Sequence, residues 1–216
     1  FIHFGSYSYL AHGEWAFSIE NWKKADYQEK VSSHFNPKKF DANEIAQLAK
    51  DAGMKYIVFT TKHHSGFCMW DTETTDFNIT NTPYKKDLLD EYVEATREAG
   101  LAVGFYFSPE DFHFLHENGL EIRRTNINDI PPHLMKKYVE LNELQTIELM
   151  AKYGDIDILF YDGGEGPLLE KCKQVAWELH PDVVITRGAM ETPEQTVPGT
   201  TLSDPWEACL TMGTQW

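Results

Sequence analysis

Five groups of polar residues each follow a short apolar run in this sequence of 216 residues. They are His3, Lys62-His63-His64, the group of Ser108, Glu110, Asp111 and His113, Asp162 with the two glycines after it, and Arg187. Imidazole, carboxylate and guanidinium groups act as general acids and bases, nucleophiles and stabilisers of charge. Reactive side chains at five equivalent positions favour an enzyme over a scaffold protein.

Each group also has a simpler explanation when it is taken alone. His3 is compatible with a buried histidine, Asp162 with a turn before the two glycines, and Arg187 with a surface cation. His63 and His64 could ligate a metal ion, but histidine pairs in metal sites typically follow HxH or HExxH spacing. Adjacent residues of a strand face opposite ways, so metal binding would require that this pair lies in a loop.

The apolar runs themselves predict a parallel β-sheet. They are rich in β-branched and aromatic residues and almost continuously apolar, which is typical of strands covered on both faces. The predicted strands are Lys55–Thr61, Leu101–Phe107, Ile156–Tyr161 and Val183–Thr186, with Phe1–Phe4 as the end of an earlier strand. Helical periodicity with a glycine or proline stop predicts helices over Ala42–Ala52, Asp87–Ala99, Pro132–Tyr153 and Leu168–Leu179.

This alternation of strand and helix predicts a parallel α/β fold, either an open doubly wound sheet or a (β/α)8 barrel. The sequence has neither of the phosphate-binding motifs GxGxxG and GxxxxGK[ST], so an open sheet that binds a nucleotide is the less favoured prediction. About five or six βα units are visible, and a barrel needs eight. We therefore expect residues 1–216 to be the N-terminal and central part of a TIM-like catalytic barrel, truncated before the barrel ends. In such a barrel the polar groups would converge on one mouth.

Composition and charge narrow the classes of partner. Hydrophobic residues make up 42% of the chain and charged residues 25%, which is typical of a globular protein. The net charge of −15 argues against binding to nucleic acid or to anionic membranes. No apolar run approaches the ~18 residues of a membrane helix. The three cysteines lack CxxC spacing and are expected to be buried thiols.

Aromatic residues suggest a class of substrate. The chain has six tryptophans, and Trp15 adjoins Glu14 in a short loop that begins with a glycine. The C–H faces of a sugar pack on aromatic rings, and its hydroxyls bind charged hydrogen-bonding groups. Aromatic faces beside carboxylates and imidazoles are therefore typical of a sugar-binding site.

Four stretches of the sequence then combine into a recognisable set of motifs. They are Phe1–Ser8 (FIHFGSYS), Thr60–Trp70 (TTKHHSGFCMW) with Asp76-Phe77 after it, Gly104–His113 (GFYFSPEDFH) and Ile158–Gly163 (ILFYDG). Thr192–Pro198 (TPEQTVP) and Trp206–Thr211 (WEACLT) follow the same pattern. The set resembles the α-L-fucosidases, family 29 of the glycoside hydrolases. The resemblance covers nearly the whole chain, and its Lys-His-His part is the most specific.

The resemblance implies a retaining exo-glycosidase that removes terminal α-L-fucose from fucosylated glycans without a cofactor or a metal. It implies a (β/α)8-like barrel, usually followed by a β-sandwich, and a secreted, periplasmic or lysosomal-type compartment. Asp162 would be the nucleophile, and Glu194 is our first choice as acid/base, before Glu191 and Glu207. The residues implied to bind substrate are His3, Glu14, Trp15, His63, His64, Tyr106 and Arg187.

The carboxylates fit this chemistry, because a retaining glycosidase needs two carboxyl groups ~5–5.5 Å apart. One departure from the family pattern is Tyr106-Phe107, where some members have two tyrosines. The short loop between Arg187 and Glu194 leaves the acid/base assignment open. Two alternatives remain: a metal-dependent hydrolase that uses His3, His63, His64 and Asp162, and a sugar-binding relative without catalysis.

Overall fold

The fold is built on a four-stranded parallel sheet in the order β1-β2-β3-β4. The computed structural model describes residues 1–121 and 129–210, so Thr211, the last residue of the WEACLT stretch, lies outside the described residues. The strands are Tyr56–Lys62 (β1), Ala102–Phe107 (β2), Ile158–Tyr161 (β3) and Val184–Ile185 (β4). Ile2 pairs in parallel with Phe59 of β1 through a single β-bridge, in the place that a fifth strand would occupy.

Helices follow or precede each strand along the chain. They are Ala16–Ile19 (α1), Lys24–Lys30 (α2), Ala42–Asp51 (α3), Leu88–Glu98 (α4), Phe112–Glu117 (α5), Pro132–Lys152 (α6) and Gly166–Leu179 (α7). Short 3₁₀ turns cover Ser6–Tyr9, Ser32–His34 and Ile79–Asn81. None of the helices among the described residues is long and apolar enough to cross a membrane.

Local sequence explains where the helices start. The carboxylates of Asp41, Asp87 and Asp111 cap α3, α4 and α5, each accepting a hydrogen bond from a backbone N–H of the first turn. These caps satisfy donors that a helix start otherwise leaves unpaired. A proline at the first position of α6 has no N–H to leave unpaired.

The two faces of the sheet differ because strand side chains alternate. On one face, the side chains of Phe59, Phe105, Leu159 and Tyr161 join the main core against the helices. The opposite face carries a smaller cluster formed by Val58, Tyr106, Ile158 and Phe160, with Cys209 packed against it. In a closed barrel this second face would be the interior.

The four later strands and the four helices are confirmed in type and order, with their ends moved by a residue or two. Phe1–Phe4 is reduced to the single bridge at Ile2, and α1, α2 and α5 are helices that the sequence analysis does not predict. The sheet is open within the described residues, and its five parallel positions agree with a TIM-like barrel truncated to about five or six βα units. Cys68 and Cys172 are buried free thiols as expected, and Cys209 is half-buried.

Candidate active site

A cavity of about 640 Å³ opens on the second face of the sheet, and its lining extends from Tyr56 at the amino end of β1 to residues that follow the carboxyl ends of the strands. It is lined by Phe1, His3, Glu14, Trp15, Tyr56, His63, Tyr106, Phe160, Asp162, Arg187, Glu194 and residues 207–210. All predicted site residues except His64 therefore border one space. Of the five polar groups expected to converge, His3, His63, Asp162 and Arg187 reach this cavity, whereas Lys62 and the group of Ser108, Glu110, Asp111 and His113 do not line it.

The hydrogen-bond ladder of the sheet continues into the site. The backbone N–H of Ser108 donates to Lys62 O at 2.9 Å, and that of Asp162 donates to Phe107 O at 3.0 Å. Tyr161 N–H in turn donates to Arg187 O at 3.1 Å. These bonds fix the backbone of the site residues relative to the rigid strands.

Strand parity explains why Asp162 faces the cavity. Its position continues the alternation of Ile158 and Phe160, whose side chains lie on the same face. The turn that follows depends on glycine, because Gly163 has φ +88° and a Cβ there would lie 2.9 Å from Glu110 Oε1. The two glycines thus form the turn that the sequence suggested, and the same turn holds a carboxylate in the cavity.

A β-bulge turns Lys62 away from the cavity. Thr60 pairs with Tyr106 but Lys62 pairs with Phe107, so Thr61 is the extra residue. The fully buried ammonium of Lys62 lies 3.1 Å from Asp111 Oδ2 and 4.5 Å from the centre of the Phe107 ring. This ion pair lowers the pKa of Asp111 against the effect of its burial. The chain reverses directly after Lys62, which brings His63 to the cavity.

Asp162 is held from three sides. The hydroxyl of Tyr106 donates a 2.5 Å hydrogen bond to Asp162 Oδ2. Arg187 Nη1 lies 3.6 Å from Oδ1, and His64 Nε2 lies 3.6 Å from Oδ2. Burial, followed by the charge of Asp162, raises the pKa of Tyr106 well above its usual value, so the phenol remains a donor.

Arg187 connects the two carboxylates that were predicted to be catalytic. Its Nη1 contacts Glu194 Oε1 as well as Asp162 Oδ1, and its guanidinium lies 5.6 Å from the centre of the Phe160 ring. Two carboxylates that contact one nitrogen must lie close together across the cavity. The Glu194 side chain is 41% exposed, while that of Asp162 is 15% exposed.

The structure also separates the other two acid/base candidates. Glu207 borders the cavity, and its Oε1 accepts a 2.8 Å hydrogen bond from the hydroxyl of Tyr56. Burial, followed by this carboxylate, raises the pKa of Tyr56 to about 12. Glu191 pairs through its backbone with Trp206 and does not belong to the residues that line the cavity.

The histidines form an aromatic wall. The rings of His63 and Tyr106 stack with centres 5.6 Å apart, and the Trp15 ring lies 5.8 Å from His63 and 4.9 Å from His64. The His3 ring lies 5.1 Å from Tyr106. Partial desolvation in the cavity lowers the pKa of His3, while the carboxylates of Glu14 and Asp162 act in the opposite direction.

His64 lies behind this wall rather than on it. It is fully buried, and its Nδ1 lies 2.5 Å from the hydroxyl of Ser108. That hydroxyl donates to the carbonyl oxygen of Glu110 at 2.9 Å. Ser108 and Glu110 were noticed in the sequence as polar residues after a strand, but nothing in their spacing indicated a partner for His64.

Among the described residues, His63, His64 and Asp162 are the group that could hold a metal ion, with donor atoms within 4.8 Å of one another. Tetrahedral Zn²⁺ with nitrogen or oxygen ligands about 2.0–2.2 Å from the metal places those ligands roughly 3.3–3.6 Å apart. The donor set has the right chemistry, but its donor atoms lie up to 4.8 Å apart, and Asp162 Oδ2 already accepts a hydrogen bond from Tyr106. The geometry suits hydroxyl recognition better than a structural metal.

Comparison with known proteins identifies the family. The family model described as Alpha-L-fucosidase matches residues 1–216. The chain is 31% identical to Alpha-L-fucosidase 1 of Arabidopsis thaliana over 172 residues, which is 77% of this chain and 28% of that protein.

Solved structures agree with this match. Alpha-L-fucosidase isoenzyme 1 from Paenibacillus thiaminolyticus superimposes with a TM-score of 0.79 at 34% identity, covering 95% of this chain and 56% of that one. A Bacteroides thetaiotaomicron family 29 α-L-fucosidase, trapped as a covalent intermediate with 2-fluoro-fucosyl fluoride, gives a TM-score of 0.76 at 30% identity, covering 91% and 51%. The chain thus spans 28% of the Arabidopsis protein and about half of each of these two solved chains. It belongs to the α-L-fucosidase family, glycoside hydrolase family 29.

Proposed function

We propose that the protein is a retaining exo-α-L-fucosidase that hydrolyses terminal α-L-fucosides through a covalent fucosyl-Asp162 intermediate. Residues 1–216 would form the N-terminal and central part of its catalytic barrel. The observation that carries the proposal is the pair of carboxylates, Asp162 and Glu194, that meet at one nitrogen of Arg187. The substrate is the terminal fucose of an oligosaccharide or glycoconjugate.

In the first step a carboxylate oxygen of Asp162 attacks the anomeric carbon while the bond from that carbon to the leaving group breaks. Glu194 protonates the oxygen of the leaving group. In the second step Glu194 takes a proton from water, the water oxygen bonds to the anomeric carbon, and the bond to Asp162 breaks. Two inversions give overall retention. The close approach of both groups to Arg187 supports the ~5–5.5 Å spacing of retaining enzymes rather than the ~6.5–9.5 Å of inverting ones.

The position of Asp162 supports its role as nucleophile. A nucleophile must be ionised and rigid, and this carboxylate receives a hydrogen bond from Tyr106 and the positive charge of Arg187. Its place at the end of β3 gives it the fixed backbone that positioning requires.

The greater exposure of Glu194 supports its role as acid/base. This group must reach the leaving oxygen and later a water molecule, both of which lie on the open side of the sugar.

The aromatic wall supports a sugar as ligand. His3, His63 and Trp15 present nitrogen donors, nitrogen acceptors and an indole face to the cavity, and Glu14 adds a carboxylate at its rim. Fucose carries several hydroxyls and a C5 methyl group, which need polar and apolar contacts respectively. We assign hydroxyl binding to the histidines and Glu14, and packing to Trp15.

The anomer that is released first tests the proposal. Proton NMR of the reaction of the intact protein with an aryl α-L-fucoside should show α-L-fucose before mutarotation produces the β anomer. Initial release of β-L-fucose would overturn the retaining mechanism. No hydrolysis of either aryl or oligosaccharide fucosides by folded protein would instead favour the non-catalytic sugar-binding alternative.

A further inference from the structure

We propose that Glu20 is a positioning residue that locks the loop presenting Glu14 and Trp15 to the cavity. This rim loop comprises residues 11–22 and includes the single turn of α1. Glu20 itself does not line the cavity. The consequence for substrate binding rests on the proposed function, whereas the lock rests on the contacts of the Glu20 carboxylate.

The rim loop carries two cavity residues but lies outside the strands. Glu14 and Trp15 line the cavity, and the centre of the Trp15 ring lies 4.9 Å from that of His64. The backbone hydrogen bonds of the loop are local, such as that from Ile19 N–H to Trp15 O at 2.9 Å. Because a helix of four residues is too short to be stable by itself, the position of Trp15 depends on side-chain contacts of the loop.

Two backbone positions increase the need for such contacts. Ala11 has φ +56° and Asn21 has φ +52°, in the left-handed region that residues with a Cβ rarely adopt. They lie at the two ends of the rim loop. Since the backbone alone favours other conformations there, neighbouring side chains must hold these two residues in place.

The carboxylate of Glu20 joins the two ends of the rim loop. Its Oε1 lies 2.6 Å from His12 Nδ1, and its Oε2 accepts a hydrogen bond from Trp22 Nε1 at 2.8 Å. The hydrogen bonds from Trp22 and then from His12 lower the pKa of Glu20, so the carboxylate is ionised at neutral pH. An ionised carboxylate only accepts, so a protonated Nδ1 of His12 must donate. The two cavity residues lie between His12 and Glu20 in the chain, so this bond closes the loop around them.

The inner side of the rim loop is anchored separately. The centre of the buried Phe17 ring lies 4.6 Å from that of Tyr27 and 6.3 Å from that of Phe112. The Glu20 side chain is 33% exposed and takes no part in this packing. We therefore expect variants of Glu20 to remain folded and to change the rim loop alone.

Nitrogen NMR of the intact protein labelled with ¹⁵N-tryptophan tests the lock without reference to activity. The chain has six tryptophans, so the indole signals of Trp15 and Trp22 are assigned by their absence in Trp15→Phe and Trp22→Phe. Glu20→Ala should shift both signals and speed the exchange of the Trp22 indole proton with water by about tenfold or more. An unchanged Trp15 signal in Glu20→Ala would overturn the proposal.

Glu91→Ala is the matched control. The carboxylate of Glu91 also bonds two side chains, the Tyr84 hydroxyl at 3.0 Å and Lys86 Nζ at 3.3 Å, but it does not line the cavity. This variant should leave the Trp15 signal and the kinetics of the aryl fucoside unchanged. Effects equal to those of Glu20→Ala would show a general response to the loss of a surface carboxylate and would refute the proposal.

Steady-state kinetics with the aryl fucoside test the consequence for binding. Glu20→Ala should raise KM about 3–10-fold, because exposed contacts are individually weak. Its kcat should stay within about twofold of wild type, since neither Asp162 nor Glu194 lies on the rim loop. Glu20→Gln keeps one acceptor oxygen and should lie between wild type and Glu20→Ala. A fall in kcat at unchanged KM would refute the positioning role.

A double-mutant cycle tests the named partner. His12→Ala should raise KM less than Glu20→Ala does, and it should add nothing in the Glu20→Ala background, because the two residues act through one bond. Additive increases in KM would contradict the lock. If Glu20→Ala moves the Trp15 signal while the wild-type protein hydrolyses no fucoside, the lock stands and the proposed function alone fails.

Discussion

The hydroxyl of Tyr106 donates a 2.5 Å hydrogen bond to Oδ2 of Asp162 from the neighbouring strand. The pairing register brings Phe107 opposite Tyr161, so the residues on either side of that pair, Tyr106 and Asp162, face the same cavity. A hydrogen bond to an ionised group contributes about 1.5–3 kcal/mol. The bond therefore fixes the rotation of the carboxylate.

Replacing Tyr106 with phenylalanine should lower kcat/KM of the aryl fucoside about 10–100-fold, because 1.4 kcal/mol corresponds to a factor of ten. The pKa of Tyr106 is raised by burial and by Asp162, so the phenol does not ionise in the working range. The alkaline limb of the pH profile should therefore be the same in Tyr106→Phe and in the wild type. Steady-state kinetics across pH checks both statements.

Tyr161→Phe is the matched control for this variant. Tyr161 is also a buried tyrosine at the carboxyl end of a strand, but it lies on the helix-facing side of the sheet. Its kcat/KM should stay within about twofold of wild type. Equal losses in the two variants would show that Tyr106 acts through packing rather than through Asp162.

Removing the Asp162 carboxylate should abolish turnover and leave a space that a small anion can fill. We expect Asp162→Gly to remain folded by circular dichroism and to hydrolyse aryl α-L-fucosides at least 10³-fold more slowly than wild type, in line with the loss of a covalent catalyst. Added azide should restore turnover and yield β-L-fucosyl azide. Near-normal hydrolysis without azide would contradict the assignment.

The acid/base assignment is tested by the dependence on the leaving group. Glu194→Ala should lose about 10²–10⁴-fold on a fucosylated oligosaccharide, whose leaving oxygen needs a proton. Release of a good aryl leaving group should be much less affected, so the covalent intermediate should accumulate. Burst kinetics with the aryl fucoside and steady-state kinetics with the oligosaccharide measure the difference.

Two neighbouring glutamates provide the comparison for Glu194→Ala. Glu191→Ala should stay within about twofold of wild type on both substrates, since Glu191 does not line the cavity. Glu207→Ala should reduce both activities equally, because Glu207 accepts a hydrogen bond from Tyr56. If Glu207→Ala rather than Glu194→Ala shows the dependence on leaving group, our choice of acid/base is wrong.

Chelation distinguishes sugar binding from metal binding at the histidines. Exhaustive treatment with a strong chelator should leave kcat/KM unchanged, because the donor atoms of His63, His64 and Asp162 are spread over 4.8 Å and Asp162 Oδ2 already accepts a hydrogen bond from Tyr106. Elemental analysis of the treated and untreated protein accompanies the assay. One equivalent of a transition metal whose removal abolishes activity and whose return restores it would support the metal-dependent alternative.

The fold was predictable because its determinants are local. Apolar runs such as those of β1 and β2 read as buried strands, and the capping aspartates and the glycines after the helices mark the helix ends within a residue or two. One further rule, that the carboxyl ends of parallel strands converge, predicts which residues of different strands lie close together. That rule placed His3, Asp162 and Arg187 in one site although they are far apart in sequence.

The remaining features depend on contacts that spacing does not encode. The bulge at Thr61 decides that Lys62 is buried against α6, where its ammonium donates to Gln145 Oε1 at 2.8 Å, and that His63 faces the cavity. The position of His64 behind the wall depends on the hydroxyl of Ser108, which lies on another strand end. Likewise, the contact of Arg187 with Glu194 requires a loop conformation that the sequence does not specify.

Covalent trapping tests the central claim, that Asp162 is the nucleophile, most directly. Fluorine at C2 slows both steps by destabilising the oxocarbenium-like transition state, while a fluoride leaving group lets the first step proceed. The intact protein should be inactivated by 2-fluoro-fucosyl fluoride with one equivalent bound, and peptide mass spectrometry should place the added fluorofucosyl group on Asp162. A label on any other residue, or steady turnover of the reagent with no labelled peptide, would contradict the account.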